Sequence, residues 1–370
     1  MKQRENFVEA AARHEMSMSA LCREYGISRK TGYKWLNRAS GGQSLADKSR
    51  RPHVQPAKTP QETERLIVDT RAGHPAWGGK KIKSVLEAMG HPDIPSAKTC
   101  GTILKRNGCI HPEEALKHKP YQRFAREHCN ELWQTDFKGD FLLADNSRCY
   151  PLDILDDRSR FCIRIDAKSA ATGVKDSFIR AFREFGLPDA ILSDNGSQFS
   201  GFRGGYTQFE RFLMDLDVTP IHGRIMHPQT QGKIERFHRT MKQEALRTTP
   251  ANLKAAQACL DVWRQCYNEL RPHAALHMKT PASLYKPSKR AYFTPAPFVY
   301  DTGAPVIKVN NWGYLRFGPV RVYLSETMRD TYLQIRAEED DTFSVIYRNY
   351  RIARIDAQTC LLIDRHIRKL

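Results

Sequence analysis

Hydrophobic positions follow different rhythms in different parts of this 370-residue chain. Over roughly the first 110 residues they recur every three or four positions, the spacing that stripes one face of a helix. Ser17 or Ser19 can cap a helix passing through Leu21 and Cys22 to Tyr25; Gly26 breaks it, and Ser28 caps a second helix through Tyr33, Lys34 and Trp35 to Ala39. That order (ALCREYGISR over 20–29) is helix-turn-helix grammar. It predicts, over 1–40, a recognition helix offering Arg29, Lys30, Thr31, Tyr33 and Lys34 to DNA, with a plain helical hairpin as the competing reading. Residues 41–58 read as a flexible basic linker whose Arg50 and Arg51 could enter a minor groove or serve only as a tether. A second helical DNA-binding unit is expected over 59–112. Thr59 or Thr63 would cap a helix bearing Leu66, Ile67 and Val68; Ile82, Val85, Leu86 and Met89 stripe the next; Ser96 caps a third carrying Thr99, Ile103 and Leu104.

From 121 to 290 the rhythm changes. Strands are expected over 133–141, 150–155 and 161–166, a helix over 172–185, a strand over 190–193, a helix over 206–216, a strand over 218–222, and a helix opening at 232. That order is the order of an RNase H-like α/β core. Six alternating segments then occupy 295–370, predicting a small all-β barrel or sheet, either a nucleic-acid platform or a protein-contact module. The expected fold is therefore multidomain: N-terminal all-α helix-turn-helix units, a central α/β core and a C-terminal small all-β domain.

Charge sharpens the picture. The net charge is +18, which points to a polyanionic partner. Lys and Arg minus Asp and Glu comes to −3 over 121–220 and +9 over 221–290, so the most acidic stretch runs straight into the most basic one. A metal site beside a phosphate-binding surface would produce that contrast. The nine cysteines form no CxxC pair and no signal-peptide pattern is visible, which leads us to expect a reducing, cytosolic compartment. No apolar run approaches the roughly 20 residues needed to cross a bilayer, so no membrane partner is expected.

Three carboxylates stand out within the core. Asp136 lies in the strand-like LWQTDF of 132–137, Asp194 ends AILSD of 190–194 before the breaker pair Asn195-Gly196, and Glu235 lies where a helix opens in GKIERFHR of 232–239. Each alone has an ordinary reading: a turn-capping aspartate, or a solvated Glu–Arg pair on a helix. Together, two strand acids and one helix acid can converge on Mg²⁺, which favours carboxylate oxygen and keeps several waters. Two such ions about 3.5–4 Å apart stabilise the attacking and leaving oxygens of an in-line displacement at phosphorus. On the helix, Ile234, Phe237, Met241 and Ala245 form the packing stripe, while Glu235, Arg239 and Lys242 follow on the adjacent face. Arg239, Lys242 and Lys233 are expected to meet DNA phosphate. Asp153, within a strand, is the best substitute among the other acids, and Asp156-Asp157-Arg158-Ser159 reads as a hairpin turn.

These blocks resemble the three signature segments of the DDE transposase/integrase superfamily, in the pattern of bacterial insertion-sequence transposases with a retroviral-integrase-type core. The segments are LWQTDFKG over 132–139, LSDNGSQF over 192–199 and HPQTQGKIERFHR over 227–239; RPHAAL over 271–276 followed by Thr280-Pro281 resembles the tail after that core. The resemblance implies that Asp136, Asp194 and Glu235 are the catalytic metal ligands, that two Mg²⁺ ions are bound with Mn²⁺ able to substitute, and that Lys242 is the family's basic residue. It also implies the reaction: hydrolysis that exposes 3′-OH ends of a mobile element, then their direct transfer into target double-stranded DNA by a homo-oligomer, a dimer or larger. Forty residues separate Asp194 from Glu235, more than in the retroviral type, and the surplus falls in the loop around 201–205. A regulator with a silent core and a nuclease lacking strand transfer are the alternatives.

Overall fold

The computed structural model describes residues 2–47, 58–110, 126–201, 205–223, 232–301 and 303–370. Two compact units result, Met1–Thr59 and Pro60–Leu370.

In the first unit, α1 (Lys2–Ala12), α2 (Met18–Glu24) and α3 (Arg29–Ser40) close around Phe7, Leu21 and Cys22. Ser17 and Ser28 cap α2 and α3, accepting hydrogen bonds from the N–H groups of Ala20 and Thr31. Gly26 makes the turn at φ +62°. A Cβ on Gly32 would sit 2.7 Å from Cys22 Sγ and 2.9 Å from Phe7 Cζ, so only glycine lets α3 cross this closely.

The second unit begins with α4 (Gln61–Gly73), α5 (Gly79–Ala88) and α6 (Ala97–Arg106), packed on Ile67, Trp77, Ile82, Leu86 and Ile103. Ser96 caps α6 as expected; α4 starts after Pro60 with no side-chain cap, so neither Thr59 nor Thr63 serves there.

Next comes a mixed sheet of β1 (Trp133–Phe137), β2 (Phe141–Leu142), β3 (Arg148–Asp156), β4 (Cys162–Lys168), β5 (Ala190–Ser193) and β6 (Thr219–His222). The expected 133–141 strand is broken into β1 and β2 by Gly139 at φ +86°. β1 pairs antiparallel with β3, which pairs antiparallel with β4; β1, β5 and β6 are parallel neighbours. One face carries Trp133, Leu152 and Ile154 against α7 (Val174–Phe185) and α8 (Gln208–Asp215). The other carries Leu155 and Ile165 against α9 (Gly232–Glu244) and α10 (Leu253–Gln265).

The helix α10, which the sequence reading did not identify, protects an open sheet edge. Gln257 donates to Ile165 O and accepts from Ala167 N–H, Arg264 donates to Ile163 O, and Asn268, in the π-helical turn after α10, accepts from Cys162 N–H and donates to Cys162 O. Side chains thus occupy the backbone groups that an unpaired β4 would present.

The C-terminal region is an antiparallel sheet of β7 (Val306–Lys308), β10 (Tyr332–Ala337), β11 (Thr342–Tyr347), β12 (Tyr350–Asp356), β13 (Leu362–Asp364) and β14 (Arg368–Lys369), with a separate hairpin of β8 (Tyr314–Phe317) and β9 (Val320–Tyr323). Its core takes in Tyr206 and Met214 from around α8, and Tyr347 and Arg348 both donate to Asp215. The overall organisation, N-terminal helix-turn-helix helices, a central mixed α/β core and a C-terminal antiparallel sheet, matches the expected fold class. No helix among the described residues is long and apolar enough to cross a membrane, and all nine cysteines are free.

Candidate active site

Sheet register sets the site. Asp136 lies directly opposite Asp153 in the antiparallel β1–β3 pair, so both side chains project from the face that α9 covers. Parallel β1 and β5 run in step as Trp133↔Ile191 and Gln134↔Leu192; continuing that register by two residues brings Asp136 level with Asp194. Three acids on three adjacent chain segments therefore form a row. Burial pushes the Asp136 carboxyl up to about 7; His238 works against that rise, and the charges of Asp194 and Asp153 add to it. Two carboxylates that repel in a half-dry setting are a site in want of a cation.

His238 on α9 answers part of that charge. Its Nε2 stands 2.7 Å from Asp153 Oδ2 and its Nδ1 is 4.0 Å from Asp136 Oδ2. Burial opposes a charged imidazole, but Asp153 outweighs it and raises the His238 pKa; Asp153, fully buried, is itself raised by burial. The pair therefore holds on to a proton. Asp153 was read from sequence only as a substitute acid, and His238 was given no role. The signal available was the three-residue step from Glu235 to His238, which puts both on one helix face.

Glu235 opens α9 and faces solvent. Among the described residues no group of three or more His, Cys, Asp or Glu side chains is already gathered to enclose a metal. The structure thus brings Asp136 and Asp194 together and leaves Glu235 one helical turn before His238. Burial lowers the Lys138 pKa against the opposing charge of Asp153, and Lys242, exposed one turn after His238, adds a smaller lowering. Arg239 is exposed. Lys233, read as a phosphate contact, instead stands 2.6 Å from both oxygens of the buried Asp157.

Asp194 also closes its own turn, one oxygen accepting from Gly196 N–H at 3.0 Å. Behind it, buried Glu210 on α8 lies 2.8 Å from His222 Nε2, and His222 Nδ1 lies 3.3 Å from Ser193 Oγ. This network was not anticipated; His222 and Ser193 are cross-strand partners, which only the β5–β6 register reveals.

In the N-terminal unit, Arg29, Lys30, Tyr33 and Lys34 line the exposed side of α3, and Thr31 is half-buried, its N–H and hydroxyl both engaged with Ser28. Lys30, Tyr33 and Lys34 border an open groove of about 640 Å³. Arg50, Arg51 and the segment 227–231 lie outside the described residues.

Comparison with known proteins identifies the domains. Residues 126–228 and 216–281 match models of an integrase core domain, 3–53 a helix-turn-helix domain and 31–104 a homeodomain-like domain. An uncharacterized protein of insertion element IS407 from Burkholderia multivorans is 29% identical over 46% of this chain and 60% of its own length. The transposase for transposon Tn552 from Staphylococcus aureus is 24% identical over 67% of this chain and 56% of its own length. The chain thus spans somewhat over half of each of these curated relatives. Among solved structures, the HTLV-2 integrase catalytic core domain in complex with magnesium aligns with 43% of this chain and 97% of its own, at a TM-score of 0.33 and 18% identity.

Proposed function

This chain belongs to the DDE transposase/integrase superfamily, carrying an integrase core domain and helix-turn-helix domains, and on that footing we propose that it is a DNA transposase. It binds the ends of a mobile element, cleaves there to expose 3′-OH groups and joins them to target double-stranded DNA. The observation that supports this reading is that Asp136 on β1 feels the charge of Asp194, which follows the end of the neighbouring strand β5, on the sheet face covered by the helix that bears Glu235.

Oxygen-only donors, among which burial first and neighbouring carboxylates second raise Asp136, fit a hard divalent cation such as Mg²⁺ or Mn²⁺. Asp136 and Asp194 would hold it, with Glu235 completing the set when α9 and DNA are engaged. Bound there, a pair of such ions would supply Lewis-acid activation of the attacking oxygen and stabilisation of the leaving one. The chain's own residues do the rest. Asp153 and His238 fix the Asp136 side of the row, Glu210 and His222 brace the strand end behind Asp194, and Lys138 and Lys242 offer positive charge to the phosphate beside it. In the first step a water oxygen bonds to phosphorus and the P–O3′ bond breaks, the 3′ oxygen leaving as a hydroxyl. In the second, that hydroxyl attacks a target phosphodiester and displaces its 3′ oxygen, so one bond forms for each that breaks. Joining two ends together calls for a dimer or larger assembly.

The test is a strand-transfer assay on duplexes carrying the inverted repeats that flank the reading frame, in Mg²⁺ or Mn²⁺, with Asp194→Asn and Glu235→Gln as controls. Joined products that vanish in both variants are expected. Cleavage without joining would favour a nuclease, and full activity in Asp194→Asn would refute the site.

A further inference from the structure

We propose that the outer face of the β8–β9 hairpin binds an unpaired DNA strand, a reading that rests on DNA being the substrate. The hairpin has two unlike faces. Leu315, Val320 and Val322 point inward and are buried in the C-terminal core. On the solvent side the cross-strand pairs are Tyr314↔Tyr323 and Arg316↔Arg321.

The arginine pair is the telling one. Like charges directly opposite on a sheet destabilise it, and no acid among the described residues forms an ion pair with Arg316 or Arg321. An anion placed between the two exposed guanidinium groups would relieve that repulsion. The aromatic groups narrow the choice. Tyr314 and Tyr323 meet edge to face with ring centres 5.2 Å apart; the Arg321 guanidinium lies 5.1 Å over Tyr314, and that of Arg365 lies 6.0 Å from Tyr323. Trp312, just before β8, is 75% exposed. The exposed rings of Trp312 and Tyr323 and the half-buried ring of Tyr314, interleaved with guanidinium groups, suit bases that present a π-face while their phosphates meet the arginines. A duplex hides those faces within its stack and would use only the arginines. A protein partner would have to supply acids for the arginines and an apolar cover for the rings, and nothing about the hairpin favours that.

The experiment uses the full chain without divalent metal. Fluorescence anisotropy is measured with a labelled oligothymidine and with a duplex of equal length, for the wild type and for Trp312→Ala, Tyr323→Ala and Arg316→Glu. Each aromatic substitution should weaken single-strand binding about tenfold and change duplex binding less than about twofold, since the helix-turn-helix units still engage the duplex. Arg316→Glu should also weaken single-strand binding yet raise the melting temperature, because it creates an ion pair with Arg321; a loss of binding in a more stable protein cannot come from unfolding. Equal losses for both probes would reduce the face to a phosphate contact and overturn the proposal. No loss in any variant would overturn it too and leave a protein-contact surface. Because neither metal nor cleavage is involved, failure here leaves the transposase reading standing, and failure of strand transfer leaves this result interpretable.

Discussion

Replacing Lys233 with methionine separates two roles for a residue two positions before Glu235. Its ammonium sits 2.6 Å from each oxygen of Asp157, whose side chain is fully buried while that of Lys233 is 18% exposed. Asp157 keeps two other donors, Gln134 Nε2 at 2.7 Å and Arg126 N–H at 3.0 Å. Removing one partner of a buried ion pair costs about 3–5 kcal/mol, because the other charge is stranded. With those two hydrogen bonds retained, the low end, about 3 kcal/mol, is expected, and at roughly 2–4 °C per kcal/mol this lowers the melting temperature by about 6–12 °C. Thermal unfolding followed by circular dichroism reads this directly. Asp157→Asn in the same background should recover part of the loss, since it removes the stranded charge. The salt dependence of DNA binding should keep its slope, whereas a lost phosphate contact would lower it by about one. An unchanged melting temperature together with a reduced slope would refute the structural role and restore Lys233 to the DNA interface.

Three further outcomes follow. Asp136 retains a proton in the folded state between its ordinary 3.8 and about 7, so the folded chain binds more protons than the unfolded one there and stability should fall as pH rises through that window; Asp136→Asn should flatten the curve, and a wild type with no decline over those pH values would contradict the burial argument. His238→Gln removes the imidazole that faces Asp153 and Asp136 and should cut strand transfer about 10–100-fold while duplex affinity stays constant; unaltered activity would show that the contact is incidental. DNA binding should weaken steeply between low and moderate salt as counterion release predicts, and a flat titration would deny the phosphate contacts assigned to α3 and to the exposed face of α9.

What could be read from sequence was mostly local. Ser17, Ser28 and Ser96 announce their helices because a cap and its N–H partner lie within three residues of each other. The Ile234, Phe237 and Met241 stripe placed α9 face down for the same reason. What stayed hidden depends on distant partners. Asp153 looks like an ordinary strand residue until α9 folds over it and brings His238, and Lys233 looks like a DNA contact until Asp157 arrives from the β3–β4 turn. The helix α10 carries an apolar stripe of Ala256, Leu260 and Trp263, yet the work of Gln257 and Arg264 is intelligible only against the bare edge of β4. The acids themselves were found by their setting, and the β1–β5 register, continued two residues beyond Gln134↔Leu192, brings two of them level.

The central claim is that Asp136 and Asp194 share divalent cations with Glu235. Crystals of the full chain bound to a DNA end and soaked in Mn²⁺ test it through anomalous scattering. Peaks within bonding distance of oxygens from all three residues are the expected result. A map at saturating Mn²⁺ with no peak between Asp136 and Asp194, or with the ion held by other side chains, would contradict the account.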